Sequence, residues 1–346
     1  MEVNLKNLLI YFGIFLIICF CLPILFIEKF DTELASLDLE TNIVLINENT
    51  TNNTEKGKYE YNKYGTIKLL HTRTNEVEEI ELDKYLYGVV SAEMPANYHI
   101  EALKAQAVVA RTYTVYKILE GNKHDNADIC DDSTCCQAWI SKDDRFAKWE
   151  VGSQDENWNK IVEAVDSTAG SVIVYNNTII NAFFHSNSGG STEIPINVWG
   201  GSGYPYLQVV ETLGEDEYSQ YSSEVILTKE EFKNKLLTNY NDFEINFDDA
   251  NWVQILAYTD GGRVKSIKFG NIEMSGVEAR KLFGLKSANF TVEIIDNKIV
   301  FSVIGYGHGV GMSQTGADYL ANNGYTYDSI INHFYCDVQI IDLNSY

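Results

Sequence analysis

The sequence predicts an α+β protein: an N-terminal membrane anchor, then antiparallel β hairpins and several helices forming a grooved, two-lobed body. Three observations carry this. Two stretches with helical apolar spacing, Asp83–Met94 and His99–Leu119, follow one another closely. Three later stretches join strand-like runs across short turns: SVIVY–NN–TIINAFF, VQILAYT–DGG–RVKSIKF and FTVEII–DN–KIVFSVI. Such turns join antiparallel neighbours, whereas parallel βαβ units need crossovers of about a dozen residues or more.

In chain order, the first element is Leu8–Ile27 (LLIYFGIFLIICFCLPILFI), twenty residues without a charge. At ~1.5 Å rise, about 20 residues span a hydrocarbon core of about 30 Å. The run exceeds a signal-peptide apolar region of about 7–15 residues, and the EKFDTELAS that follows offers no small-x-small cleavage site. A retained anchor over residues 1–27 is therefore expected. Lys6 and Lys29 flank it almost evenly, so charge does not orient it. Residues 28–58 are rich in Asn, Thr and Glu and read as a polar stalk. The folded domain is expected over residues 59–346. Within it, Leu86, Val89 and Val90 form an apolar stripe that stops at Pro95. His99–Leu119 is alanine-rich and apolar on more than one side, as a buried helix would be. A loop rich in Asp and Cys precedes a third helix at Asn157–Thr168, ended by Gly170. SGVEARKLFG predicts a short helix between the last two hairpins, and another begins near Ser313.

The net charge of −23, from 49 acidic and 26 basic side chains, repels phosphate backbones and excludes nucleic acid as the expected partner. It also argues against docking on anionic lipid through a basic patch. Of the six cysteines, Cys19 and Cys21 lie in the apolar run and Cys336 stands alone. Cys130, Cys135 and Cys136 cluster; three thiols do not pair off evenly, so a disulfide framework fits poorly. With His124 they fall within thirteen residues, and imidazole and thiolate at this density suit tetrahedral zinc, although the spacing is not a CxxC pair. His124, Cys130 and Cys136 are the preferred ligands and Cys135 the fourth; a disulfide between two of the thiols is the alternative. The absence of HExxH argues against a catalytic ion.

Glu93 continues the stripe of Leu86, Val89 and Val90 at i, i+3, i+4, i+7 and sits at the negative end of its helix. Desolvation and the dipole both favour the protonated acid, the state a general acid for glycosidic cleavage requires. On periodicity alone, a frayed and solvated helix end fits at least as well. Gln106 and Arg111 are polar residues in a mostly apolar helix; each either satisfies nearby carbonyls or faces a ligand, Gln106 being the more structural of the two. Arg111 would pair with a substrate carboxylate or with an internal acid such as Glu193. His185-Ser186-Asn187-Ser188-Gly189-Gly190 reads either as a turn with local side-chain caps or as a wall whose hydroxyls bind a polar ligand. Trp199, Tyr204 and Tyr206 are candidates to stack on sugar faces, although aromatic residues this dense more often belong to a core. The run Gly305–Gly311 fails both phosphate-binding glycine patterns; exposing backbone N–H groups and His308 along a groove is the better reading.

VVSAEMPANYHIEALKAQAVVARTYTVYK resembles the signature of the stage II sporulation protein D family, lytic transglycosylases related to the amidase-enhancer domain. FFHSNSGGSTE, VWGG and YPYL resemble a second block of that family and GYGHGVGMSQTGA its C-terminal block, in matching order from about Tyr59 to Tyr346. The family usually carries an aromatic residue where this chain has Thr315. The resemblance implies cleavage of peptidoglycan between N-acetylmuramic acid and N-acetylglucosamine with a 1,6-anhydro product, in septal wall remodelling and engulfment during sporulation. It places the catalytic acid at Glu93 and the family's arginine, eighteen residues on, at Arg111. Gln106, Ser188, Tyr206 and His308 join Arg111 as expected substrate contacts. Structural Zn2+ at the His/Cys cluster is implied, with no cofactor required for the chemistry. A single-pass membrane protein is also implied, its body outside the cytoplasm on the mother-cell side and facing the intermembrane space. The implied partners are glycan strands, the stage II sporulation amidase P and the scaffold protein M. The rival reading is a glycan-binding amidase activator that does not cleave.

Overall fold

The structure, a computed structural model, describes residues 65–346 except Asn122. The apolar run Leu8–Ile27 and the stalk 28–58 lie outside the described residues. Among those described, no helix is long and apolar enough to cross a membrane.

The chain opens with an antiparallel hairpin, β1 (Thr66–His71) and β2 (Glu76–Glu81). Sequence reading missed it because EVEEIE leaves nearly every side chain in water, so no apolar alternation marks the strand. Helices α1 (Leu82–Glu93) and α2 (Ile100–Glu120) match the first two predicted helices to within one residue. Met94, held extended before Pro95 (φ −123°, ψ 143°), ends α1. The His99 ring accepts from the Glu101 N–H and caps α2, which buries residues on every side between Ala102 and Val115. β3 (Ile129–Cys130), α3 (Lys142–Phe146) and α4 (Gln154–Asp166) follow, the last starting three residues before the predicted Asn157.

β4 (Ser171–Tyr175) turns through Asn176 and Asn177, at φ 49° and 58°, into β5, which is only Thr178–Ile179. The strand expected to run on to Phe183 is cut short. The Asn181 N–H donates to the Tyr206 hydroxyl at 3.0 Å and the Phe183 N–H bends back to the Asn181 carbonyl at 3.0 Å, so the chain peels away from β4. It pairs again as β6 (Phe184–His185), beside Met312–Ser313. That approach needs Gly311, which lies at φ 72° and where a Cβ would sit 1.9 Å from the Phe183 carbonyl. The short α5 (Pro195–Trp199) comes next.

A second lobe is assembled from β7 (Ser222–Thr228), α6 (Lys229–Leu237), β8 (Val253–Tyr258), β9 (Val264–Phe269), β10 (Ile272–Ser275), α7 (Gly276–Phe283), β11 (Phe290–Ile295) and β12 (Lys298–Ile304). β8–β9 and β11–β12 are predicted hairpins, and they build two antiparallel sheets of order β10-β9-β8 and β11-β12-β7. Reciprocal capping boxes at Thr228 and Ser275 start α6 and α7. Phe232, Phe269, Phe283 and Phe301 fill a core separate from that of the first lobe, with Phe232 stacked on Phe283 at 5.0 Å. The Gly305 N–H donates to the Tyr221 carbonyl at 2.6 Å, so this lobe leaves and rejoins the first at one point.

β13 (Met312–Ser313), α8 (Gln314–Asn322), α9 (Tyr327–Phe334) and β14 (Gln339–Asp342) complete the first lobe, where β14 pairs antiparallel with β4. α2 runs through its core, packed by α1, α4, α8, α9 and β4. The longer ladders are antiparallel as expected. Two joints are not: β1 with β3, and β6 with β13, run parallel over two residues each. Both stitch together segments far apart in sequence, which no local turn signal marks.

Candidate active site

A cleft of ≈ 940 Å³ is lined by Glu93, Lys117, Cys135, Cys136, Trp199, His308 and Gln314 of the first lobe and by Val277 and Arg280 of the second. Glu93 closes α1 at its floor and is half-buried. Its Oε1 accepts the Ala138 N–H at 2.7 Å, and its Oε2 accepts from Gln314 Nε2 at 3.3 Å. Burial pushes the carboxyl pKa up, and the two donors pull partly against it. Because Oε1 is firmly held by an amide, a proton on Glu93 belongs on Oε2, where the Gln314 donor is long.

Ala138 is held in place by its neighbours. Gln137 Nε2 donates to the Tyr85 hydroxyl at 2.8 Å and to Thr114 Oγ1 at 2.9 Å, tying the segment to α1 and α2. Trp139 lies over Gly88, where a Cβ would come within 2.2 Å of its indole nitrogen.

Gln314 is positioned by a residue that sequence reading did not single out. The carboxylate of Glu215, 1% exposed, accepts from Ser313 Oγ and from Thr315 Oγ1 at 3.0 Å on either side of Gln314. It also takes the N–H groups of Ser188 and Gly190 at 2.9 and 3.1 Å, and Thr212 Oγ1 at 2.5 Å. A glutamate in the acidic run GEDE carries no local signal of such a role. Glu215→Ala would strand several buried donors, each at about 1–3 kcal/mol. The expected loss is roughly 3–5 kcal/mol of stability, read as a lowered midpoint in urea unfolding; an unchanged midpoint would refute the role given to Glu215.

The structure moves four expected substrate contacts out of the cleft lining. Arg111 is fully buried: Nη1 donates to the Ser171 carbonyl at 3.3 Å and Nη2 to the Val165 carbonyl at 3.2 Å, with Asp83 at 3.6 Å. It binds the end of α4 and the start of β4, and its acid is Asp83, not Glu193. Gln106, also buried, accepts from Gln314 Nε2 at 3.4 Å and so stands behind Gln314. Ser188 is buried and donates to His185: the Nδ1–H of His185 goes to the Val310 carbonyl at 3.1 Å, leaving Nε2 to accept Ser188 Oγ–H at 2.8 Å. Tyr206 is 6% exposed and its hydroxyl is occupied by Asn181.

His308 does line the cleft. Burial, then the guanidinium groups of Arg280 and Arg263, push its pKa down to about 3, so it is neutral at physiological pH. Its Nδ1 accepts the Val310 N–H at 3.0 Å, so the ring presents a face more than a proton. Trp199, 51% exposed, sits against it at 5.0 Å and against Phe183 at 4.7 Å, forming an aromatic wall. In the glycine run, the N–H groups of the first three residues are turned inward and do not line the groove. Those of Gly305, Tyr306 and Gly307 go to Tyr221, Asn187 and Lys286 carbonyls, and that of Met312 to Phe183. The glycines serve close packing: a Cβ on Gly309 would come within 2.2 Å of Arg263 Nη2.

His124, Cys130, Cys135 and Cys136 come together, with their ligand atoms all within 4.8 Å of one another and no disulfide among them. His124 Nε2 lies 3.5 Å from Cys136 Sγ and 3.8 Å from Cys135 Sγ, and the two sulfurs are 3.9 Å apart. Bonds of about 2.3 Å to sulfur and 2.0–2.1 Å to nitrogen at tetrahedral angles require separations of about 3.8 Å between sulfurs and about 3.6 Å from nitrogen to sulfur. The three separations among His124, Cys135 and Cys136 fit such an ion, and Cys130 Sγ lies within 4.8 Å of each of them. The vicinal cysteines reach it together because the Asp132 carbonyl accepts the amides of Cys135 and Cys136 at 3.0 and 2.7 Å, folding both onto one turn.

Fold and site together define an α+β cleft protein whose groove holds one carboxyl group opposite cations and an aromatic wall. The family model described as Stage II sporulation protein matches residues 70–175. The chain is 34% identical over 284 residues to stage II sporulation protein D of Bacillus subtilis, covering 81% of this chain and 80% of the relative. It is 33% identical over 285 residues to the same-named protein of Bacillus amyloliquefaciens, with the same coverage. Similarity to the amidase enhancer of Bacillus subtilis is 31% over 301 residues, 72% of this chain and 39% of that protein. The chain belongs to the stage II sporulation protein D family.

Proposed function

We propose that this protein is a lytic transglycosylase that cleaves peptidoglycan between N-acetylmuramic acid and N-acetylglucosamine. The observation that carries the reading is Glu93: it is the one carboxyl group among the residues lining the cleft, and burial raises its pKa. Glycosidases that use water or a carboxylate nucleophile generally place two carboxyl groups about 5–9.5 Å apart. A transglycosylase needs one. Glu93 Oε2–H protonates the leaving glycosidic oxygen as its bond to muramic C1 breaks. The C6 hydroxyl of the same muramic unit then closes on C1 and returns its proton to Glu93. No water is consumed, and the product carries a 1,6-anhydro ring.

The surroundings fit this use. Trp199 and His308 offer flat faces suited to sugar rings. The His/Cys cluster is a structural zinc site within this proposal; the ion would fix the loop that carries Ala138 and supply no step of the reaction. Leu8–Ile27 is the membrane anchor, with the body outside the cytoplasm and acting on the septal wall in sporulation. A stage II sporulation amidase and a scaffold protein are its expected partners.

The relative called an amidase enhancer favours a second reading, a glycan-binding activator without cleavage. Purified protein incubated with peptide-free glycan strands separates the two. Mass spectrometry should find 1,6-anhydromuramic ends that accumulate with time. Strand binding without such ends would establish the activator instead.

A further inference from the structure

The chain carries a net charge of −23, yet the charged side chains lining its cleft are three cations, Lys117, Lys123 and Arg280, and Glu93 alone. The sign of the cleft is thus opposite to that of the molecule, as expected of a site that receives an anion. The three cations are not equivalent. Lys117 is paired with Glu120 at 3.1 Å, and Lys123 donates to the Cys135 carbonyl at 2.7 Å. Arg280 has no carboxylate within ion-pair distance among the described residues. Its Nε–H reaches the Leu285 carbonyl at 3.4 Å, which orients the guanidinium, and burial lowers its pKa. A guanidinium drawn partly out of water with no acid facing it is an unfavourable arrangement until an anion arrives. Arg280 also stands on α7 of the second lobe, beside Val277 and the 39% exposed Tyr306, whereas Glu93 stands on α1 of the first.

We propose that Arg280 is an anion-recognition residue, its guanidinium receiving the carboxylate of an acidic sugar unit in the cleft while Glu93 acts from the facing lobe. The proposal rests on the glycan reading given above and deepens it. On a muramic acid strand the anion is the lactyl carboxylate, which is charged only when no peptide is amide-linked to it. The planar guanidinium suits a carboxylate in two parallel hydrogen bonds, a geometry that an ammonium cannot supply.

The test is binding, measured by isothermal titration with the full chain carrying Glu93→Gln so that strands are not consumed. Two probes are used: peptide-free glycan strands with free lactyl carboxylates, and the same strands with those groups converted to neutral methylamides. The carboxylate strands should bind at least about tenfold more tightly, the worth of a charged hydrogen bond. Adding Arg280→Gln should remove the difference by weakening only the carboxylate strands. Arg280→Lys should keep a reduced preference that fades as salt rises. Methylamide binding serves as the internal control for folding, since a misfolded variant loses both probes. Equal affinity for the two probes, or a preference that survives Arg280→Gln, would overturn the proposal. A protein that discriminates the carboxylate but makes no anhydro ends keeps the anion site and loses the transglycosylase. One that makes anhydro ends without discriminating does the reverse.

Discussion

Glu93→Gln should reduce the release of anhydro-ended glycan by about 10²–10⁴-fold, the usual contribution of a positioned acid–base group. The amide keeps the shape of the side chain and its acceptor oxygen for the Ala138 N–H, so binding should change little and the loss should fall on turnover. Wild-type activity should decline on the alkaline side as Glu93 loses its proton, at a pH above the ordinary glutamate value of 4.5. The same substitution should raise stability at neutral pH. Burial lifts the folded-state pKa above the unfolded one, so the folded state binds the proton more tightly. That advantage is complete below the unfolded value and is lost as pH rises through the folded one. Glu93→Gln should therefore melt above the wild type at neutral pH, with the gap closing on acidification. Retained turnover in Glu93→Gln would end the single-carboxyl mechanism, whatever the melting curves show.

Removing metal should have the largest effect on the fold. Zinc held by three thiolates and an imidazole is worth on the order of 10 kcal/mol in small domains that depend on it. Here the cluster fixes one loop of a larger body, so a smaller loss is expected, a fall of at least about 10 °C in Tm. One zinc per chain should be found by elemental analysis, and Cys136→Ser should lose both the metal and the melting temperature, whereas Cys336→Ser should lose neither. The effect should reach the cleft, because Cys136 is two residues from Ala138, whose N–H is the short bond to Glu93. Protein purified without zinc and melting as the wild type does would contradict a structural ion.

How much of this was legible in the sequence follows from where each signal resides. α1 and α2 read to within one residue because burial of apolar side chains sets their period and Pro95 sets a stop. The hairpins β8–β9 and β11–β12 read because their turns carry Asp-Gly-Gly and Asp-Asn. The His/Cys cluster was legible since all four residues lie within thirteen positions. What sequence could not rank was which polar residues face the cleft. Arg111 and Arg280 are both arginines on helices, yet one is locked among the carbonyls of Val165 and Ser171 and the other lines the groove. That choice is made by packing between distant segments. Glu215 was invisible for the same reason, since its donors come from residues 188–190, 212 and 313–315.

The Tyr221–Gly305 hydrogen bond has a consequence for how the molecule is put together. A chain that leaves and returns at points joined by one bond makes everything between them a cassette. Residues 222–304 have their own sheets and their own aromatic centre, and they supply one wall of the groove without interrupting the path of the rest. The insert is tied back to the first lobe, however: the buried Arg263 donates to the Ser188 carbonyl at 2.9 Å and the Gly307 N–H to the Lys286 carbonyl at 3.0 Å. Only the parts clear of these anchors can change length or face while Glu93, Ala138 and Gln314 keep their places. The proposed acid and the proposed anion receptor thus stand on separately packed lobes, and each wall of the groove can vary within the limits of those anchors.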